Sequence, residues 1–475
     1  MKKVLLLGLT ALFTTTASLG QEKGAALGID VEVKEYKTGR ATTNFGSIDG
    51  KQYAQGKSGF VLYFFPIAMH TLLNKKENGQ VLKSVKLEDK NQYFKRKKFE
   101  VTKFFTIGEN IVEIVPRYDE NASRYTIYAE AFNQSLKSVE LGEIYATKFR
   151  EDTRFGLSYD QYDEKLLIKI SKYQNKELVS ITCLLVDQDL ETEEIIEVNT
   201  EEDGTFTGST SHISSDKEDF RYAISTNQKD DELGGICYQI DLKNGRDTDL
   251  ELDFSELEEK KSHISSRVRD NKLYVFGFSK VEKGKQILDE YFTQIYDLET
   301  KKRIAYSTHE LDPEFIIENE IDAYKKTYQK AIDNEEYKSA RTLNIVQTRF
   351  LDNGNILHIA TNYGYNTMQQ IFVFLLNENG ELIKKTSFPL RQYAGQAAFG
   401  IKSYRDGSEL KLCYMDREGL RARTIDLKTL ESETAPLLAY KKFSGYNYTS
   451  IYTKENEIIV QGVKLSKEQS IHITF

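Results

Sequence analysis

Short apolar stretches alternate with polar turns along nearly the whole chain. Four of these stretches begin at a polar turn and continue with apolar residues at every second position: RDNKLYVFGF (269–278), LDNGNILHIA (351–360), RDGSELKLCY (405–414) and KENEIIVQGV (454–463). A hydrophobic period of two is typical of a half-buried β-strand, because successive side chains point to opposite faces of a sheet. The pattern predicts an all-β protein.

A second pattern marks where a strand ends. Two mostly apolar residues are followed by Asp or Asn at the start of a polar turn, where the side chain can accept hydrogen bonds from nearby backbone groups. The pattern is found in HTLLN (70–74), AEAFN (129–133), CLLVD (183–187), CYQID (237–241), TQIYD (293–297), VFLLN (373–377) and ARTID (422–426). Most intervals are about 54 residues, which is room for four strands and their turns.

The repeated units resemble blades of the β-propeller superfamily, as in YQIDLKNGR (238–246) and YDLETKKRI (296–304). The resemblance covers nearly the whole mature chain and matches no particular propeller family. It implies a single propeller domain over residues 21–475, with about eight blades and seven as the alternative. A strand at Ile29–Tyr36 is expected to complete the last blade, whose other strands are Tyr446–Tyr452, Glu457–Val463 and Ser470–Phe475.

One interval in the repeat is longer than the others, and the extra residues fall at 311–340. Asp312 and Pro313 suit the start of a helix, and the segment carries apolar residues at helical spacing. These are Ile317, Ile321, Tyr324, Tyr328 and Ile332. The spacing predicts one helical insertion, an amphipathic helix of about five or six turns. We expect it to pack on its own propeller; a lid over the channel and a docking helix are the alternatives.

The N-terminus has the order of a secretory signal peptide. Lys2 and Lys3 precede an apolar stretch and a run of small residues, and cleavage is expected before Gln21, so the signal peptide spans residues 1–20. This predicts an exported protein, periplasmic or extracellular, with no transmembrane segment after cleavage. It also predicts no lipid anchor, because the cleavage site has no nearby cysteine. The net charge of −8 argues against a nucleic-acid partner.

The three cysteines, Cys183, Cys237 and Cys413, do not form a disulfide framework, since their number is odd and their spacing is wide. Cys183 and Cys237 occupy equivalent positions in neighbouring units, so they are expected to lie beyond disulfide reach. All three are predicted to be buried structural thiols.

Recognisable catalytic and metal-binding motifs are absent from the sequence. The six histidines are scattered, and no zinc-protease motif, nucleophile elbow or phosphate-binding loop is found. The sequence therefore predicts no metal site and no cofactor, and it leaves catalytic residues unassigned. LDNGN (351–355) is interpreted as a strand-joining turn, and the basic run at 95–98 as a solvated loop or edge strand.

Tyrosines and amides cluster in three predicted loops on one face of neighbouring blades. Such residues offer stacking surfaces and hydrogen bonds suited to a glycan or a peptide. The candidate ligand-binding residues are Asn362, Tyr363, Tyr365, Asn366, Tyr393, Tyr446, Asn447 and Tyr448.

The sequence favours an exported binding or protein-interaction scaffold with a glycan or protein partner. The alternative is a propeller-type glycan hydrolase or lyase whose carboxylates come from several blades. An outer-membrane β-barrel is disfavoured, because barrel hairpins would recur about every 20–25 residues.

Overall fold

The structure is a computed structural model of the 475-residue chain. It describes residues 29–37, 42–49, 51–62, 65–77, 80–87, 103–119, 121–150, 152–162, 164–200, 206–214, 221–228, 235–241, 245–257, 263–320, 322–339, 342–364, 367–390, 401–416, 419–439, 447–454, 457–464 and 467–475. The predicted signal peptide, the basic run at 95–98 and four of the candidate ligand-binding residues lie outside this set. Those four are Tyr365, Asn366, Tyr393 and Tyr446.

The chain divides into two compact units, and one of them contains residues 45–77 and 81–310. Its strands are antiparallel and follow one another in chain order. They are β2 (Thr42–Ile48), β3 (Lys51–Leu62), β4 (Phe65–Glu77), β5 (Gln80–Lys86), β6 (Lys103–Ile107), β7 (Asn110–Asp119), β8 (Arg124–Phe132), β9 (Ser138–Lys148), β10 (Thr153–Tyr162), β11 (Lys165–Gln174), β12 (Glu177–Val186), β13 (Thr192–Asn199), β14 (Phe206–Ser214), β15 (Arg221–Gln228), β16 (Gly235–Asp241), β17 (Gly245–Leu252), β18 (His263–Arg269), β19 (Lys272–Lys283), β20 (Gln286–Asp297) and β21 (Lys302–Leu311).

The other unit contains residues 1–44, 78–80 and 311–475. Its strands are β1 (Asp30–Lys37), β22 (Thr342–Phe350), β23 (Ile356–Gly364), β24 (Thr367–Leu376), β25 (Leu382–Pro389), β26 (Ile401–Asp406), β27 (Glu409–Met415), β28 (Gly419–Asp426), β29 (Ser432–Ala439), β30 (Asn447–Lys454), β31 (Glu457–Lys464) and β32 (Lys467–Thr474). Its described residues also form two helices, α1 (Pro313–Ile317) and α2 (Asp322–Asp333).

Among the described residues, six sheets have four strands each, and a seventh has eight strands, β10 to β17. In five of the four-stranded sheets each strand pairs with its neighbour in sequence, which is the meander of a propeller blade; in the sixth, β1 is added beside β32. The predicted all-β, β-propeller fold class is confirmed.

The sheet that contains both ends of the fold also agrees with the sequence analysis. β1 pairs with β32 in antiparallel register, from Asp30 opposite Thr474 to Lys37 opposite Lys467. Ile29 and Val31 are buried with the last strands, beside Ile471 and Ile473. The N-terminal strand therefore completes the last sheet, as predicted.

The cores lie between consecutive sheets. In one unit, β22–β25 and β26–β29 share a cluster that includes Leu357, Val373, Leu412 and Ile425. In the other, β6–β9 and β10–β12 bury a similar cluster of branched aliphatic side chains. Each fully buried Leu, Ile or Val contributes about 1.5–3 kcal/mol through the hydrophobic effect, so each sheet is stabilised mainly by its neighbour.

The Asp and Asn residues of the repeat close the turn after the third strand. Asp187 accepts backbone hydrogen bonds at Oδ1 from Asp189 and Glu191, both at 2.9 Å. Equivalent bonds to the side chains of Asn133, Asn377 and Asp426 have lengths between 2.7 and 3.2 Å. The turn predicted at LDNGN also forms, with Gly354 at φ +84° and its N–H bonded to Leu351.

Asn74 departs from this pattern. It lies within β4, which continues to Glu77, and its backbone is opposite Ala54 of β3. Asn74 is buried, and it does not open a turn as predicted. The difference arises because β3 and β4 pair over more residues than in most other units.

The single helix predicted over 311–340 is wrong in its length. The five residues of α1 end at Ile317, and the twelve of α2 begin at Asp322. Asp312 makes no side-chain cap; its carboxylate instead pairs with Lys385 Nζ at 2.9 Å. The predicted apolar stripe is also interrupted, because Ile317 is buried whereas Tyr324 is 43% exposed.

Candidate functional site

The first candidate loop is largely strand. β23 continues to Gly364. Asn362 and Tyr363 are therefore among its last residues and do not lie in a loop after Ala360, as was predicted. The register with β24 shifts between Thr361 and Tyr363, which is a β-bulge. A bulge accommodates one extra residue without ending the pairing, and Thr and Tyr favour strands, so β23 extends past the predicted end.

The candidate residues Asn447 and Tyr448 are likewise the first residues of a strand, β30. The backbone of Asn447 is opposite Val463, at the end of β31. The backbone of Tyr363 is opposite Thr342, the first residue of β22. Both candidate segments therefore occupy the same end of their own sheets, where the first strand begins and the second ends.

Asn362 is the one candidate whose side chain the structure describes, and it is fully buried. Its Oδ1 accepts a hydrogen bond from the backbone N–H of Gln370 at 2.9 Å. The Gln370 side chain, also buried, donates from Nε2 to the carbonyl oxygen of Ile316 in α1 at 2.9 Å. Asn362 thus connects β23 to β24, and Gln370 connects β24 to α1. The Asn362 side chain is fully buried and does not lie in an exposed loop as the sequence analysis expected.

A second polar cluster fixes the helical segment on β25. Ser387 Oγ donates to Glu318 Oε2 at 3.0 Å and accepts from Asn319 Nδ2 at 2.8 Å. Lys385 Nζ lies 4.9 Å from the centroid of the Phe315 ring, a cation–π contact. Nothing in the sequence pattern identified this cluster, because its members are about 70 residues apart along the chain.

The inner strands carry a polar link of their own. In one unit, Gln347 on β22 donates to the carbonyl of Ile401 on β26 at 2.6 Å, and Arg349 Nε donates to Ser403 Oγ at 2.8 Å. In the other unit, Gln161 on β10 donates to the carbonyl of Thr106 on β6 at 2.7 Å. These side chains connect the first strands of consecutive sheets.

A network around Tyr296 holds the segment that follows β17. The Tyr296 hydroxyl accepts from the backbone N–H of Asp253 at 3.0 Å and donates to Gln294 Oε1 at 2.8 Å. Burial is the main cause that raises the pKa of Tyr296 to about 12. Arg303 pairs with Glu256 at 2.8 Å nearby. This hydroxyl stays protonated and has a hydrogen-bond partner on each side. Tyr296 therefore anchors the chain and cannot act as a general base at neutral pH.

The three cysteines are free thiols with fully buried side chains. The prediction of structural thiols is confirmed. Burial raises the pKa of Cys183 and of Cys237 to about 12, and it raises the pKa of Cys413 as well. Lys169, directly opposite Cys183 on β11, has its pKa lowered by burial. Thiols that stay protonated at neutral pH are poor nucleophiles.

His358 is buried in β23, with Nδ1 2.9 Å from the hydroxyl of Thr348. Within the described ranges, no group of three or more His, Cys, Asp or Glu side chains is arranged to hold a metal ion. The helices that the structure describes include none long and apolar enough to cross a membrane.

Large apolar side chains reach the surface mainly on the outermost strands of the sheets. Among the described residues, seven are exposed: Val81, Leu82, Val139, Leu141, Ile304, Tyr324 and Ile383. All except Tyr324 lie on the fourth strand of a sheet. Val81 and Leu82 on β5, together with Val139 and Leu141 on β9, are named here the outer-strand patch. Lys83 Nζ of β5 donates to the carbonyl of Ser135, in the turn before β9, at 2.6 Å and so joins the two parts.

No family model matches the chain, and no curated protein does. Solved structures with a similar arrangement include the WD40 domain of SCAP from fission yeast, at 7% identity over 94% of each chain and a TM-score of 0.43. The Dos1 propeller is 7% identical over 92% of this chain and 93% of its own, with a TM-score of 0.45. The polysaccharide lyase Uly1 is 9% identical over 78% and 89%, with a TM-score of 0.42.

These identities are too low to carry an activity from one chain to another, since propellers host many unrelated functions. The chain is similar to these proteins in general arrangement alone. The propeller fold is read from the meandering four-stranded sheets of the chain itself.

Proposed function

We infer that this β-propeller chain is an exported binding scaffold whose partner is a protein. The outer-strand patch is the observation that supports the proposal. Its members Val81, Leu82, Val139 and Leu141 are 43%, 53%, 52% and 59% exposed. Exposed apolar residues are unremarkable singly, but a group on two linked outer strands marks a surface that gains free energy when another protein covers it.

Charges at the patch favour a partner protein over a membrane surface. Lys83 and Lys86 lie on β5 beside the apolar residues, and Glu140 and Glu143 lie on β9. A mixed rim of both signs around apolar side chains is the usual composition of a protein interface.

Aspartate substitutions at the patch test this proposal. Leu82→Asp with Leu141→Asp is compared with the wild type and with Ile383→Asp, a control at a site that is 47% exposed on the outer strand β25. We expect cross-linking in cells to capture a partner set that the double variant loses and the control keeps, at an unchanged melting temperature. An identical partner set in all three proteins contradicts the proposal.

A second binding face is proposed at the Tyr/Asn segments, where a glycan or peptide would stack on Tyr363 and Tyr446. The supporting observation is that β23 ends, and β30 begins, at the same end of their sheets. The double variant Tyr363→Ala with Tyr446→Ala is expected to lose ligand-induced thermal stabilisation, which is about 2.7 kcal/mol at 100 times the dissociation constant. Unchanged affinity for glycans and peptides in this variant refutes the second face.

Eight blades, one of them carrying the helical segment as an insertion, are part of the proposal. Six four-stranded sheets are separate, and the eight-stranded sheet is joined at β12 and β14 by one residue pair, Leu178 opposite Phe206. A single pair is a weak connection, so β10–β13 and β14–β17 are proposed as two blades. An experimental structure with seven blades contradicts this count.

Export and removal of residues 1–20 complete the proposal, with the mature protein in the periplasm or outside the cell. Intact-mass measurement of the protein recovered from the culture's envelope and medium is expected to give a chain that begins at Gln21. A full-length chain recovered from the cytoplasm refutes export.

A further inference from the structure

Two buried carboxamides, Asn362 and Gln370, meet at the bulge between β23 and β24. Their orientations follow from their bonded partners. Asn362 must turn its oxygen to the N–H of Gln370, and Gln370 must turn its amide nitrogen to the carbonyl of Ile316. Reversing either group would put like dipoles face to face.

With these orientations, one donor of Asn362 and the acceptor of Gln370 have no partner among the described residues. Asn362 Nδ2 and Gln370 Oε1 are buried, and neither has a hydrogen-bond partner in the described part of the chain. The hydroxyl of Thr361, one residue before Asn362, is a third buried polar atom of the same kind. Each such group costs free energy when it stays unpaired in a protein interior, because its hydrogen bonds to water are not replaced.

We propose that this bulge is a binding site for one internal water molecule. The water accepts a hydrogen bond from Asn362 Nδ2 and donates one to Gln370 Oε1. Its second hydrogen is available to the Thr361 hydroxyl. Buried waters typically make about three hydrogen bonds to polar groups that the fold cannot pair by itself, and the three atoms here supply that set.

The two carboxamides are closed to bulk solvent, since Asn362 and Gln370 are fully buried. Ile371 and Phe372 follow Gln370 on β24 and are fully buried, and Phe315 of α1 packs on Phe372 with ring centroids 5.6 Å apart. A water enclosed in this way exchanges slowly. It completes a polar connection that runs from β23 through β24 to Ile316 of α1.

Cross-relaxation between water and side-chain amides tests the proposal. In deuterated protein with 15N-labelled asparagine, we expect the Asn362 Nδ2 protons to show a negative NOE to water, the sign that distinguishes a long-lived internal water from fast-exchanging surface water. Asn379, in an exposed turn after β24, is the matched control and should show contacts with fast surface water alone.

The variant Gln370→Met keeps the backbone N–H that binds Asn362 and removes the acceptor of the proposed water. We expect the slow-water NOE at Asn362 to disappear in this variant. If the variant does not fold, the wild-type spectrum decides by itself. Absence of slow water at Asn362 in the wild type, or a hydrogen-bond coupling between Asn362 Nδ2 and the Gln370 side-chain carbonyl carbon in 13C-labelled protein, overturns the proposal.

Discussion

Single side chains decide where the strands of this protein stop. Asp297 and Asp426 sit at the end of a third strand, and backbone N–H groups of the following turn donate to their carboxylates at 2.7 to 2.8 Å. Hydrogen bonds from the backbone are the leading cause that lowers the pKa of each carboxyl. The ionised form is therefore favoured by the folded turn.

Asp426→Asn should keep the turn and remove the part of the pH dependence of folding stability that comes from Asp426. The carboxamide oxygen of Asn can accept the same bonds from Lys428 and Thr429, but it does not titrate. The pKa of Asp426 is lower in the folded state than in the unfolded state. Its contribution to the free energy of unfolding is therefore present above the unfolded pKa and is lost as pH falls through the folded pKa. Denaturant titrations between about pH 2 and 6 should show the wild type losing more stability than the variant below about pH 4. Parallel curves contradict this expectation.

The buried thiols should be unreactive in the folded protein. Cys183, Cys237 and Cys413 are fully buried, and burial raises their pKa values. With a disulfide reagent at pH 8, we expect no labelling of the native chain and three thiols labelled after unfolding, because the thiolate is the reactive form. Rapid labelling of the native protein would show that one of them is accessible.

At the scale of elements, the helical segment is held by one face of one sheet. Phe315 of α1 contacts Phe372 and Phe374 of β24, with ring centroids 5.6 and 6.2 Å apart. The second helix contributes less, since Tyr324 is 43% exposed and Tyr328 contacts Tyr337 just beyond the helix. The attachment is therefore concentrated in α1.

Phe315→Ala should destabilise the protein by about 1–3 kcal/mol, below the usual range for a fully buried Phe because Phe315 is half-buried. Tyr324→Ala is the matched control and should change the free energy of unfolding by no more than about 0.5 kcal/mol. Chemical denaturation measures both. If the two substitutions lower the free energy of unfolding equally, the two helices contribute equally to holding this segment on its sheet.

At the scale of the whole molecule, the two ends of the fold meet in one sheet. β1 pairs with β32 over eight residues, and Val31 is buried with Ile471 and Ile473. The pairing covers an edge of β32 that would otherwise present unpaired backbone groups. The last sheet therefore depends on a strand that is more than 400 residues away in sequence.

Deletion of β1 should be far more damaging than deletion of the residues before it. A chain lacking residues 1–28 keeps β1 and should melt as the mature protein does. A chain lacking residues 1–37 loses a full strand ladder and the buried side chains Ile29 and Val31, so its melting temperature should fall by at least several degrees. Equal melting temperatures would show that the β1–β32 pairing contributes little.

Local chemistry made much of this fold predictable. The alternation of apolar residues predicts the strands, and Asp or Asn after an apolar pair predicts most of the turns, with Asn74 as the exception, because both depend on neighbours within a few residues. The pairing of β1 with the last sheet was predictable too, since the C-terminal residues supply three strands of a four-stranded unit. The two short helices were not, because their limits depend on contacts of Asp312 and Phe315 with β24 and β25.

The strand repeat, most of its turns and the buried thiols follow from the amino-acid sequence. The tertiary structure decided which polar residues are available for binding. The sequence predicts Asn362 to be a loop residue, yet a bulge keeps it in β23, where its side chain is fully buried and bonded to Gln370. The physical reason is that burial depends on side chains from distant segments, which no local pattern encodes.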